Sequence, residues 1–166
     1  MSSEGLSLED AILVAIAQGA ETVDEIARVL HVDKGVVEDL LRKLELEGYV
    51  KREVRGLIFK KTVYLLTEKG FNRAGKALEK LREVATQLRQ MIESGQVDAA
   101  TQMASAWMSF LPLMVWMDLL PLTMLSLLPL ELGFLADLSM MGPDADSGGD
   151  VDTGGDVDVG DGGDMV

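Results

Sequence analysis

Three helix-start signals stand in close succession, at Ser7, Thr22 and Asp33, and two β-rich runs follow them directly. Ser7 with Asp10, and Thr22 with Glu25, have the spacing of a capping box, in which each side chain satisfies a free backbone N–H of the other residue. The first helix presents Leu8, Ile12, Ala15 and Ile16 on one face and stops at Gly19. The second turns Ile26, Ala27 and Leu30 inward, and His31-Val32 makes a tight turn. Asp33 is expected to cap a third helix with Val37, Leu40, Leu41 and Leu44 inward and Gly48 as its stop. YVKREV and LIFKKTVYLL then flank Arg55-Gly56, the pattern of a hairpin.

Three helices followed by a two-stranded hairpin is the order of a winged helix-turn-helix. The stretches TVDEIARVLHVDKGVVEDLLRKLELEGYVKRE and YLLTEKG resemble the MarR and PadR-like regulators of bacteria and archaea. The resemblance covers roughly the first 90 residues. It implies a transcriptional regulator that binds double-stranded DNA and dimerises through a long C-terminal helix.

The chain divides into four pieces. Residues 7–66 are the expected winged domain. Residues 67–95 carry a helix with Phe71, Ala74, Leu78, Leu81, Ala85, Leu88 and Ile92 at alternating spacings of three and four. That is a heptad seam, which suits a dimer, although a helix packed on its own domain gives the same pattern. Residues 97–141 hold seven of the ten methionines and the unit Leu-Pro-Leu at 111–113, 120–122 and 128–130. Residues 142–166 are nearly all Gly, Asp and Val, a composition that cannot bury a core, and read as a disordered acidic tail. The fold class expected is mainly α with a small β-hairpin wing, a long dimerisation helix and a hydrophobic helical C-terminal segment.

The net charge of −13 conceals a segregation. All 15 Lys and Arg lie between Arg28 and Arg89, while residues 91–166 hold 13 acidic residues and no base. Within 34–82 there are 13 basic against 7 acidic residues, a local excess of the kind nucleic-acid binders carry. The third helix would enter the major groove with Lys34, Gly35, Arg42 and Lys43 outward, where Gly35 allows close backbone approach. The wing adds Lys51, Arg52, Arg55, Lys60 and Lys61 for phosphates or the minor groove. Against this, Lys34–Glu38, Glu38–Arg42 and Asp39–Lys43 are helix-supporting pairs of about 0.2–0.5 kcal/mol each, and both acidic residues repel phosphate.

Chemistry is excluded more firmly. The chain has no cysteine and a single histidine, His31, so thiol nucleophiles, disulfides and multi-histidine metal sites are out of reach. No catalytic constellation can be assembled, and no cofactor is expected. The Gly-Gly-Asp-Val-Asp units fit neither calcium-binding repeat pattern.

The N-terminus, MSSEGLSLED, does not read as a signal peptide, so a cytoplasmic location is expected. The 19 uncharged residues at 99–117 meet the length of a membrane span, with Trp107 and Trp116 as interfacial anchors. Yet Pro112, Pro121 and Pro129 interrupt any continuous helix, and each Leu-Pro-Leu suits the start of a short one. A protein partner, the dimer mate, a membrane and a hydrophobic effector pocket all remain open for 97–141. The alternative to a DNA-binding regulator is a winged-helix adaptor that associates through this segment.

Overall fold

The computed structural model describes residues 5–130. The tail at 142–166, and the end of the apolar segment from 131 to 141, lie outside the described residues. The elements run α1 (Leu8–Ala17), α2 (Val23–Leu30), α3 (Lys34–Leu46), β1 (Val50–Arg55), β2 (Lys61–Leu66) and α4 (Glu68–Glu93), then α5 (Val97–Ala106), α6 (Leu111–Trp116) and α7 (Leu122–Leu125). No helix among these residues is long and apolar enough to cross a membrane.

Both expected capping boxes form. Ser7 Oγ accepts from the Asp10 N–H while the Asp10 carboxylate accepts from the Ser7 N–H, and Thr22 and Glu25 reciprocate in the same way. His31 takes the left-handed conformation, φ 58°, that ends α2 and begins the turn into α3. Asp33 stands at the N-cap of α3 in extended backbone, but its side chain makes no capping bond. Val37, Leu41 and Leu44 anchor α3 in the core, and Leu40 is half-buried.

The hairpin pairs antiparallel from Val50↔Leu66 to Arg55↔Lys61. Its tip is therefore the five residues Gly56–Lys60, and LIFK belongs to the tip rather than to the second strand. The cause is Gly56 at φ 105°, which turns the chain so sharply that a Cβ there would lie 2.2 Å from the Phe59 carbonyl oxygen. The wing is tied back to the domain where the Tyr64 N–H donates to the Glu21 carbonyl at 2.8 Å.

The LTEKG motif has a structural job at the wing's root. Thr67 caps α4 by accepting from the Gly70 N–H at 3.1 Å. Its hydroxyl lies 2.7 Å from the Gly48 carbonyl oxygen and 3.1 Å from that of Tyr49. Its own N–H also donates to the Tyr49 carbonyl at 3.1 Å. The backbone of α4 then passes so close that a Cβ on Gly70 would sit 2.1 Å from the Tyr49 oxygen. Only glycine fits.

Helix α4 packs along α1 and under α5. Four members of the heptad seam, Ala74, Leu81, Ala85 and Leu88, are buried within the chain's own core together with Ala77 and Val84. Among the other three, Phe71 is 60% exposed, while Leu78 and Ile92 are half-buried.

The apolar segment turns inward as well. Leu111-Pro112-Leu113 opens α6, and Pro121 is the N-cap of α7, so two of the three units begin short helices. The third ends at the limit of the described residues. Ala100, Ala104, Phe110, Leu111, Leu113 and Met114 are buried, and α6 rests on α2. Trp107 is 1% exposed with its ring 5.4 Å from that of Phe110, so it is a core side chain and not an interfacial anchor. The Arg89 guanidinium fastens this cap to α4 by donating to the Leu119 carbonyl.

Replacing Gly70 by alanine is expected to destabilise the chain by about 3 kcal/mol, because the clash is with backbone that cannot step aside. Chemical denaturation followed by circular dichroism checks this, with Gly75→Ala, at a position open to space on the same helix, as the comparison, expected to stabilise by about 0.5–1 kcal/mol.

Candidate nucleic-acid interface

The outward side of α3 and the wing together border one groove. Glu38, Arg42 and Glu45 line it from the helix, Arg52, Thr62 and Tyr64 from the hairpin, and Val23 from the start of α2. Strand alternation explains the wing's share. Arg52 and Tyr64 are cross-strand partners, and Thr62 stands two residues from Tyr64 on the same face. The other face of the hairpin carries Lys51, Arg55 and Lys61, with Arg55 and Lys61 directly opposed.

The nine residues expected at the interface thus do not share one face. Lys34 and Gly35 lie at the N-terminus of α3. Lys34 Nζ is 3.0 Å from Asp24 Oδ1 of α2, with both side chains largely exposed. A Cβ on Gly35 would meet nothing within 4 Å, so the chain's own packing does not demand glycine there. Arg42 pairs with Asp39 at 3.0 Å along the helix, and Arg52 reaches Glu45 at 3.8 Å across the groove. Arg55 lies 3.4 Å from Glu21 and 3.5 Å from Glu53. Lys51, Lys60 and Lys61 are exposed and carry no ion pair among the described residues.

Lys43 is different in kind. Its Nζ sits 2.7 Å from Glu9 Oε2 of α1, and Glu9 is the more sheltered partner. Hydrogen bonding to Glu9 and its charge raise the lysine's pKa above the ordinary value. The same Glu9 meets Arg73 at 3.4 Å, so Lys43 braces α3 against α1 and α4.

Electrostatically, most of these cations are already neighboured by carboxylates. Exposed pairs of this type contribute only about 0.2–1 kcal/mol, so a phosphate can displace them at small cost. Glu38 and Glu45 make the groove itself mixed in charge, whereas no acidic residue occurs from Val54 to Leu66. The cationic part of the surface is therefore the distal half of the wing. Sequence reading missed Thr62 and Tyr64 as groove residues; the signal was present in the alternation of β2 once its register with Arg52 is known. Among the described residues there is no cluster of side chains able to hold a metal.

Residues 9–93 match the HxlR-like helix-turn-helix family. A comparison with curated proteins gives no match. Among solved structures, a cysteine-to-serine mutant of Lactococcus lactis ZitR is similar at 24% identity, TM-score 0.42, over 61% of this chain and 77% of that one. RV1404 from Mycobacterium tuberculosis is similar at 19% identity, TM-score 0.42, over 63% and 75%. Wild-type L. lactis ZitR in complex with DNA aligns at 22% identity, TM-score 0.39, over 61% and 79%.

Gly56→Ala is expected to distort the wing tip and lower the affinity for duplex DNA about threefold to tenfold, because both the positive φ and the Phe59 carbonyl oppose a side chain. Its melting temperature should change little, since the tip covers no core; a fluorescence-anisotropy titration beside a thermal melt reads both.

Proposed function

Because the chain belongs to the HxlR-like helix-turn-helix family, we propose that it is a sequence-specific, DNA-binding transcriptional regulator that acts as a dimer. The observation that carries the reading is the wing. Lys51, Lys60 and Lys61 are exposed without ion pairs among the described residues, on a hairpin whose other face borders a groove with α3, and the outer face of α3 is itself exposed. In this reading α3 enters the major groove through Lys34, Gly35 and Arg42, and the wing's Lys51, Arg52, Arg55, Lys60 and Lys61 hold flanking phosphates. Lys43 serves from behind, by fixing the angle of α3 through Glu9.

The dimer in this proposal uses what α4 leaves at the surface, chiefly Phe71 with Leu78 and Ile92. A two-fold arrangement would set two recognition helices on half-sites about one helical turn apart. The adaptor reading has less to rest on, because the apolar side chains from Ala100 to Leu128 are largely used inside the chain.

Two measurements test this. The double variant Lys60→Ala, Lys61→Ala should bind duplex DNA more weakly, and its log K against log salt slope should flatten by about 4, close to one unit for each phosphate that the four lysines of a dimer no longer neutralise. An unchanged slope would remove the wing from the interface. Sedimentation equilibrium of the full chain should give twice the mass of one chain, with Phe71→Glu shifting it toward the single-chain mass. A wild-type mass of one chain would end the dimer proposal.

A further inference from the structure

The tip of the wing is apolar. Leu57 is 95% exposed, Ile58 83% and Phe59 88%, and Val54 below them is 63% exposed. Nothing in phosphate binding calls for such residues. We propose that Leu57, Ile58 and Phe59 act as a wedge that enters the minor groove, pries one base step apart and bends the duplex. This rests on the DNA-binding reading above and names what the wing does there beyond gripping phosphates.

Three observations point to that occupant. First, the tip closes on itself, with Gly56 in tight approach to the Phe59 carbonyl, so the loop is narrow and has no interior to receive its own side chains. Five residues between the paired Arg55 and Lys61 make a tip thin enough for a groove about 6 Å wide. Second, cations bracket the apolar residues on both sides, Arg55 before them and Lys60 and Lys61 after, with no acidic residue from Val54 to Leu66. That pattern complements a surface that is anionic along its edges and apolar between them, as a base stack bordered by two phosphate rows is. Third, the hairpin shares the groove with α3, so the tip continues the same interface outward. An anionic lipid surface offers related chemistry, but three residues on one loop beside an open α3 suit a base step better.

Unstacking a step costs a few kcal/mol and is cheapest at pyrimidine–purine steps. The wedge therefore adds a preference for TA or CA/TG beneath the wing, at a position without a hydrogen-bonding side chain to read it.

The test uses the full chain and duplexes that it enriches from a random pool. Bending is read by energy transfer between the duplex ends, and unstacking by 2-aminopurine placed beneath the wing. The combined variant Leu57→Ser, Ile58→Ser, Phe59→Ser should lose about tenfold or more in affinity, leave the duplex straight and abolish the 2-aminopurine signal. Its salt slope should stay that of wild type, and Phe59→Leu should keep most of the bend. Ile58→Ser alone is read in the same way should the triple variant not fold. Wild-type bending by a folded serine variant overturns the wedge. So does a variant that keeps its DNA behaviour but loses binding to phosphatidylglycerol vesicles, which would assign the tip to lipid. Should the wild-type chain enrich no duplex at all, the DNA-binding reading falls first and the wedge with it, whereas loss of the bend alone leaves that reading standing.

Discussion

The pairing of Arg73 with Asp10 holds the domain's parts in register. Asp10 is the one charged residue in the buried core among the described residues. Its carboxylate accepts from the Ser7 backbone, the Ser7 hydroxyl and Arg73 Nε at 2.7 Å. Burial works against the charge on Arg73, but bonding to Asp10 and Glu9 more than offsets it, and the guanidinium's pKa is raised. Its Cζ also lies 4.8 Å from the centre of the Tyr49 ring, at the wing's root. A buried pair of this type adds little net stability over an apolar one, yet removing one partner strands the other. What it contributes is geometry. Glu9 extends the network to Lys43, so α1, α3, α4 and the wing's root meet at one set of charges.

That network also marks where sequence reading stops. The capping boxes were legible because both partners lie within three residues of each other, so spacing alone specifies the bond. Asp10 and Arg73 are 63 residues apart, and no local pattern announces their meeting. Lys43 meets the same limit: its periodicity places it outward, where its side chain is 56% exposed, but only the packing of α1 against α3 brings Glu9 to it. The wing tip failed differently. Ile58 and Phe59 have strong strand preference, and the conformation of Gly56 overrode it.

The heptad seam shows a further limit. Spacings of three and four identify an apolar face but do not say what covers it. Here the face is wider than a coiled-coil seam, since Ala77 and Val84 join it, and α1 and α5 occupy much of it. The same arithmetic applies to the segment rich in Leu and Met. Its proline units were readable as helix starts, and Pro112 and Pro121 perform that role. Its destination was not readable, because an apolar run looks alike whether it meets lipid, a partner or its own domain. The buried Trp107 places it on its own domain over the described residues.

Helix α4 is 26 residues long, about 39 Å at 1.5 Å per residue. At one end Thr67 and Gly70 lock it to Tyr49, with no slack between helix backbone and wing root. Near the other, Arg89 grips the turn at Leu119. The apolar cap and the wing's root are therefore fastened to one unbroken helix, which packs along α1 between them.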